Sequence, residues 1–168
     1  MHIHSQWVFN CAPHHIWPHF LHAKMDSSKP FLFRFGIPKP VSCKVLEGYG
    51  ALGNTRQCTT DRGTIDQRIL DYIPNQKLRY RMIGSTVWCK DWIGNLEDEF
   101  TLVPMGPNLT RVERRSEFVA HGLLAPVKQL ALWIALKQAH RYASKNWRRL
   151  SSEAQDAEQQ GEVAAMRR

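Results

Sequence analysis

Residues 96–119 read LEDEFTLVPMGPNLTRVERRSEFV. Residues 96–103 and 109–119 each alternate apolar with polar side chains, the period of a strand with one buried face. Residues 104–108, with Gly106 between two prolines, supply a turn, so the segment reads as a β-hairpin. Placing Phe100, Leu102, Val112 and Phe118 on the buried face carries Asp98, Arg114 and Ser116 there with them. A hairpin centred on Gly106 sets Asp98 directly opposite Arg114. Buried opposite charges persist only when paired and hydrogen-bonded, so this register is self-consistent.

Outside the hairpin, the same alternation recurs over residues 41–47, 54–60, 64–73 and 78–83, with turn signals at Asp61-Arg62-Gly63 and Pro74-Asn75. Setting Ile65, Ile69, Ile73, Leu78 and Met82 inward leaves Arg56, Arg68, Arg79 and Arg81 outside. It also turns Thr55, Gln57, Thr59, Gln67, Asp71 and Tyr80 towards the concave face. Residues 2–11 alternate as well, with Ile3, Trp7, Phe9 and Cys11 on one side. Pro13 and the apolar residues Ile16, Trp17 and Phe20 predict a short helix limited by Pro18. Residues 24–40 are broken by Pro30, Pro38 and Pro40 yet carry Phe31, Phe33 and Phe35, as suits a lid. After Gly122 the period becomes helical through Leu123, Val127, Leu130 and Ile134, joined by Trp133, Leu136, His140 and Trp147, which predicts one helix over about residues 124–150.

These elements predict an α+β chain: a curved antiparallel sheet of about seven strands around a long C-terminal helix, with short helices after the first strand. Residues 1–150 form one domain. The polar tail, residues 151–168, is expected to be disordered.

Several segments resemble known ones. Ala12-Pro13-His14-His15-Ile16-Trp17 resembles an A-P-x-x-V-W opening, and residues 48–56 resemble a G-x-G-x-x-G-x-x-R hairpin. Asp61-Arg62-Gly63, Phe100-Thr101-Leu102 and Thr110-Arg111-Val112 match further strand and turn motifs of the same family. In this order they resemble the START-like or SRPBCC helix-grip superfamily, in its polyketide cyclase/dehydrase and lipid-transport branch. The resemblance covers residues 1 to about 150. It implies a cavity beneath the helix that takes lipids, hormones, polyketides or other hydrophobic molecules, with only some members being enzymes. No catalytic motif of an enzymatic member matches this chain.

The remaining signals narrow the field. Gly48-Tyr49-Gly50-Ala51-Leu52-Gly53 precedes a strand rather than a helix, so it reads as a turn and not as a dinucleotide site. No cofactor is expected. His15, His19 and His22 share one helical face, opposite the apolar one, and are expected in solvent with no metal role. The cysteines Cys11, Cys43, Cys58 and Cys89 lack a C-x-x-C spacing and read as reduced thiols. A formal charge of +8 comes from scattered Lys and Arg, a solvated surface rather than a nucleic-acid face; peripheral membrane contact stays open. No apolar run spans a membrane and no secretory signal opens the chain, so a cytoplasmic location is expected. Oligomeric state is not encoded legibly.

The expected ligand contacts are Phe31, Phe33 and Phe35 from the lid, Gln57, Gln67 and Tyr80 from the sheet, and Trp88 and Trp92 from the stretch between strands. Asp98, Arg114 and Ser116 join them from the last hairpin, and Leu130 and Ile134 from the helix. Two readings of Asp98 and Arg114 are open: a salt bridge closing one end of the cavity, or Arg114 anchoring a ligand carboxylate or enolate with Asp98 holding it. The leading functional reading is a binder or carrier of a hydrophobic small molecule. The alternatives are a cyclase or dehydratase that uses Arg114, Asp98 and Tyr80, and an interaction module docking through its basic surface.

Overall fold

A computed structural model describes the backbone of residues 1–166 and the side chains of residues 1–161. The elements run β1 (His2–Phe9), α1 (Pro13–Ile16), α2 (Pro18–Leu21), β2 (Ala23–Lys24), β3 (Pro40–Val45), β4 (Thr55–Thr60), β5 (Gly63–Ile73), β6 (Lys77–Ser85), β7 (Ile93–Gly106), β8 (Leu109–Ala120) and α3 (Ala125–Met166). The eight strands form one antiparallel sheet in the order β1-β8-β7-β6-β5-β4-β3-β2, so β1 closes against β8 and the rest is a meander. The sheet curls around α3. This is the expected α+β helix-grip architecture, with one more strand than predicted because two-residue β2 carries too little pattern to read.

Register decides which side chains meet. In the β7–β8 hairpin Phe100 pairs with Arg114 and Asp98 with Ser116, two residues away from the register centred on Gly106. The cause is the turn: Gly106 pairs with Leu109, leaving Pro107 and Asn108 alone at the tip. An even slip preserves the face of every side chain, so Asp98 and Arg114 stay concave as diagonal neighbours. In the β4–β5 hairpin the error is odd. Thr60 pairs with Gly63, so Asp61-Arg62 is a two-residue turn, and Arg56 pairs with Gln67. Every β4 side chain is thereby reversed: Arg56 is buried inside, while Thr55, Gln57 and Thr59 face out. A bulge between Ile69 and Asp71 likewise puts Asp71 and Ile73 outside, where Asp71 pairs with Lys77 Nζ at 3.1 Å. Arg68, Arg79 and Arg81 lie outside as expected.

The β3–β4 glycines make a turn. Gly50 has φ +93°, and a Cβ there would come within 2.9 Å of Leu21, so only glycine fits between this turn and α2. The β3–β4 pairing sets Cys43 directly opposite Cys58, and the two are joined by a disulfide, correcting the expectation of four free thiols. Spacing along the chain could not reveal a cross-strand neighbour. Cys11 and Cys89 are free and buried.

Helix α3 packs on the concave face through Leu132, His140, Ala143 and Trp147, all buried. The Leu123, Val127, Leu130 and Ile134 stripe faces out instead, with Leu130 57% and Ile134 39% exposed. Two apolar stripes share this helix, and the inner one is disguised by its buried His140 and Asn146. Gln129 clips the start of α3 to the sheet by accepting from the Ala120 N–H at 2.6 Å and donating to the Phe118 carbonyl at 3.0 Å. The helix also runs past residue 150 into the tail expected to be disordered. That tail is rich in Ala, Glu and Gln and free of proline, and Gly161 alone costs only about 1 kcal/mol. Glu158 on this extension contacts His15, which is buried rather than solvent-facing because Pro18 splits the expected helix into α1 and α2. Among the described residues no helix is long and apolar enough to cross a membrane.

The core centres on Phe20, Phe100 and Trp147, whose ring centroids lie 4.9 to 5.5 Å apart. Phe9, Phe100 and Phe118 are fully buried as expected, and Trp7 packs on the cluster half-buried. Trp147 joins helix, α2 and sheet at one point. Trp147→Ala should therefore lower unfolding stability by about 3–5 kcal/mol in denaturant titration; a loss below about 1 kcal/mol would mean that α3 is not gripped here.

Candidate functional site

Between the concave face and α3 lies a cavity of about 150 Å³, roomy against the roughly 15 Å³ that one water needs. Most of its wall is apolar. Ile65, Ile93, Leu96 and Phe118 come from the sheet, and Leu132 and Leu136 from the helix. The polar groups gather on strands β4 to β8: Arg56, Gln67, Tyr80, Asp98 and Arg114.

Asp98 is 3% exposed and holds this cluster together. The Arg114 Nε–H donates to Asp98 Oδ1 at 2.9 Å, and the Ser116 hydroxyl donates to the same carboxylate. Since a carboxylate only accepts, the Ser116 proton is committed to it. His140 Nε2, 2.7 Å from Ser116 Oγ, must then be the protonated nitrogen, which leaves Nδ1 to accept from the Ser5 hydroxyl at 3.0 Å. A continuous relay thus joins β7, β8, α3 and β1. Burial pushes the His140 pKa down to about 2, with the Arg114 charge acting in the same direction, so the ring is neutral. Burial alone would raise the Asp98 carboxyl, but the charge and hydrogen bond of Arg114 outweigh it and hold Asp98 below the usual carboxylate range.

Arg56 takes the other end. Its Nη1 donates to Gln67 Oε1 and contacts Cys58 Sγ at 2.8 Å, and its guanidinium lies 4.8 Å from the centre of the Tyr80 ring. Its buried Nε has no partner among the described residues. Burial raises the Tyr80 pKa, so the phenol stays neutral.

Of the expected contacts, Gln67, Tyr80, Asp98 and Arg114 line the cavity. Ser116 is buried behind Asp98, bound to it and to His140. Gln57 lies outside, donating to Asp66 Oδ1 at 2.8 Å, because of the reversed β4 face. Phe33 is buried against Tyr142, while Phe31 and Phe35 pack on each other in solvent, 69% and 70% exposed. Within the lid Phe31–Phe35 forms a 3₁₀ turn, and a three-residue period cannot aim alternate residues together. The lid reaches the cavity through Met25, Ile37, Pro38 and Pro40. Trp88 and Trp92 pack edge to face on each other and do not line it, Trp88 donating to the Gly36 carbonyl at 3.0 Å, and Val87 and Cys89 line it in their place. Leu130 and Ile134 lie on the outer face of α3. Sequence reasoning missed Arg56 and His140; a two-residue reading of the Asp61-Arg62 turn would have found the first.

No known family model matches the chain, and neither does any curated protein. Solved structures do match. The ZhuI aromatase/cyclase from Streptomyces sp. R1128 is 14% identical with a TM-score of 0.64, over 92% of this chain and 93% of its own. Protein MLL2253 from Mesorhizobium loti is 15% identical with a TM-score of 0.63, over 91% and 98%. Ara h 8.0201 is 12% identical with a TM-score of 0.61, over 93% and 98%. The chain thus has the START-like helix-grip fold, which these matches share along almost their whole length.

Two outcomes follow from the relay. Asp98→Ala leaves the Arg114 guanidinium buried without its partner and should cost about 3–5 kcal/mol in denaturant unfolding; a cost near zero would mean the pair is hydrated. His140 gives a pH signature. Its folded pKa lies below its unfolded value near 6.5, so its contribution is fully present above about pH 6.5 and is lost as the pH falls, by up to about 1.4 kcal/mol per pH unit. His140→Gln should flatten the stability profile between about pH 6.5 and 4.5; an unchanged slope would place the ring in contact with water.

Proposed function

We propose that this chain binds a small, largely apolar molecule in the cavity between the sheet and α3. The observation that carries the reading is the cavity itself: space for a ligand, walled by apolar side chains, inside a core that is otherwise packed around Phe20, Phe100 and Trp147. An empty apolar space costs stability, because the wall atoms lose their dispersion partners, and a fitting ligand restores them.

Other features support the reading. The base of the lid is pinned to α3, since the Tyr142 hydroxyl donates to Asp26 Oδ1 at 2.9 Å and Asn146 Oδ1 accepts from the Asp26 N–H at 2.7 Å. Trp88 ties the far end of the lid to the β6–β7 loop. A covering segment held at both ends suits a site that encloses its ligand. One similar structure is that of an aromatase/cyclase, but Asp98 here has Arg114 and Ser116 on its carboxylate and is poorly placed to accept a substrate proton. Binding or carriage is therefore preferred to catalysis.

The neutral fluorophore N-phenyl-1-naphthylamine should gain fluorescence on binding the protein, saturating at one equivalent. Ala139→Trp puts an indole into the cavity wall on α3 and should weaken that binding at least tenfold with the circular dichroism spectrum preserved. Equal binding by the folded variant would place the ligand elsewhere.

A further inference from the structure

Three charged side chains line the cavity, Arg56, Arg114 and Asp98, and Asp98 is the only acid among them. All three are buried, at 3%, 7% and 3% exposure. Asp98 is committed to Arg114 through the 2.9 Å bond, and the two cancel. Arg56 makes no salt bridge among the described residues. What touches it is neutral: the amide of Gln67, the Tyr80 ring and the sulfur of Cys58, while the charges of Asp98 and Arg114 act on it with opposite sign. Two guanidiniums against one carboxylate leave a buried excess of one positive charge. A guanidinium does not shed its proton in a protein, so the excess cannot be removed by deprotonation. Buried charges persist when they are paired, and this one lacks a carboxylate partner among the described residues.

We infer that the ligand supplies the missing charge: an organic monoanion whose carboxylate sits on Arg56 while its apolar body fills the space towards Leu132 and Leu136. The inference rests on the ligand-binding reading above and names the chemical class that the cavity selects. The unpartnered Nε of Arg56 lies on the edge of the guanidinium that carboxylates engage in two-point contact. The Tyr80 ring under the guanidinium and Gln67 at Nη1 hold that edge in place. The choice of Arg56 over Arg114 follows from Asp98, which already occupies Arg114. No bond is made or broken.

Two probes of the same shape separate charge from apolar fit: 2-naphthoate and 2-naphthamide, measured at pH 7 by calorimetry. The wild-type protein should bind the anion at least tenfold more tightly. Arg56→Met should abolish that preference and leave 2-naphthamide binding near the wild-type level, whereas Arg56→Lys should keep most of it. Removal of an unpaired buried charge should also raise the melting temperature of the ligand-free Met variant. Equal affinity of the wild type for both probes, or a preference that survives in Arg56→Met, overturns the inference. So does binding of neutral N-phenyl-1-naphthylamine without any of 2-naphthoate. If none of the three compounds binds, the ligand-binding reading itself fails and takes the inference with it. Should Arg56→Met not fold, the wild-type preference and its retention in Arg56→Lys decide alone.

Discussion

A single buried carboxylate joins the parts of this molecule. Asp98 on β7 accepts from Arg114 and Ser116 on β8, and through Ser116 it reaches His140 on α3 and Ser5 on β1. In a low-dielectric interior each of these groups would be expensive alone and each is satisfied by the next. The chain of bonds fixes the rotation of α3 on the sheet, since only one face of the helix presents His140. Leu132, Leu136 and Ala139 then follow onto the cavity wall, and Leu130 and Ile134 turn to solvent. Apolar packing through Trp147 supplies most of the attraction, while the polar relay sets its register.

The cavity exists because this grip is incomplete. Aromatic rings fill the end around Phe20 and Phe100, but Ala135, Ala139 and Ala143 leave space along the middle of the helix. Small helix residues opposite a concave sheet cannot close it. Arg56 lines the same space, and its buried Nε has no partner among the described residues. Apolar room and an uncompensated cation at one point are together what give the site a chemical preference.

Much of this was legible in the sequence, and the failures have specific causes. Strict alternation in residues 96–119 found the hairpin and put Asp98 and Arg114 on one face, which survived a two-residue slip because the side-chain period is two. A turn one residue shorter than assumed at Asp61-Arg62 was enough to exchange Gln57 for Arg56 inside the sheet. The β4 strand carried no apolar stripe to expose the mistake, since Arg56, Cys58 and Thr60 are its inner set. The helix was found by its period, but a helix with two apolar stripes does not say which one is buried. The lid aromatics went astray because Phe31–Phe35 forms a 3₁₀ turn, where only Phe33 is drawn into the core.

Arg56 is proposed as a ligand anchor and not merely as an inner-face residue of β4. A crystal structure of the protein with 2-naphthoate tests it most directly. The naphthalene ring should lie between the sheet and Leu136, with the carboxylate in hydrogen-bond contact with Arg56 Nε and the Asp98–Arg114 pair undisturbed. A carboxylate turned to solvent, one that displaces Asp98 from Arg114, or a ring bound on the outer stripe of α3 would contradict it.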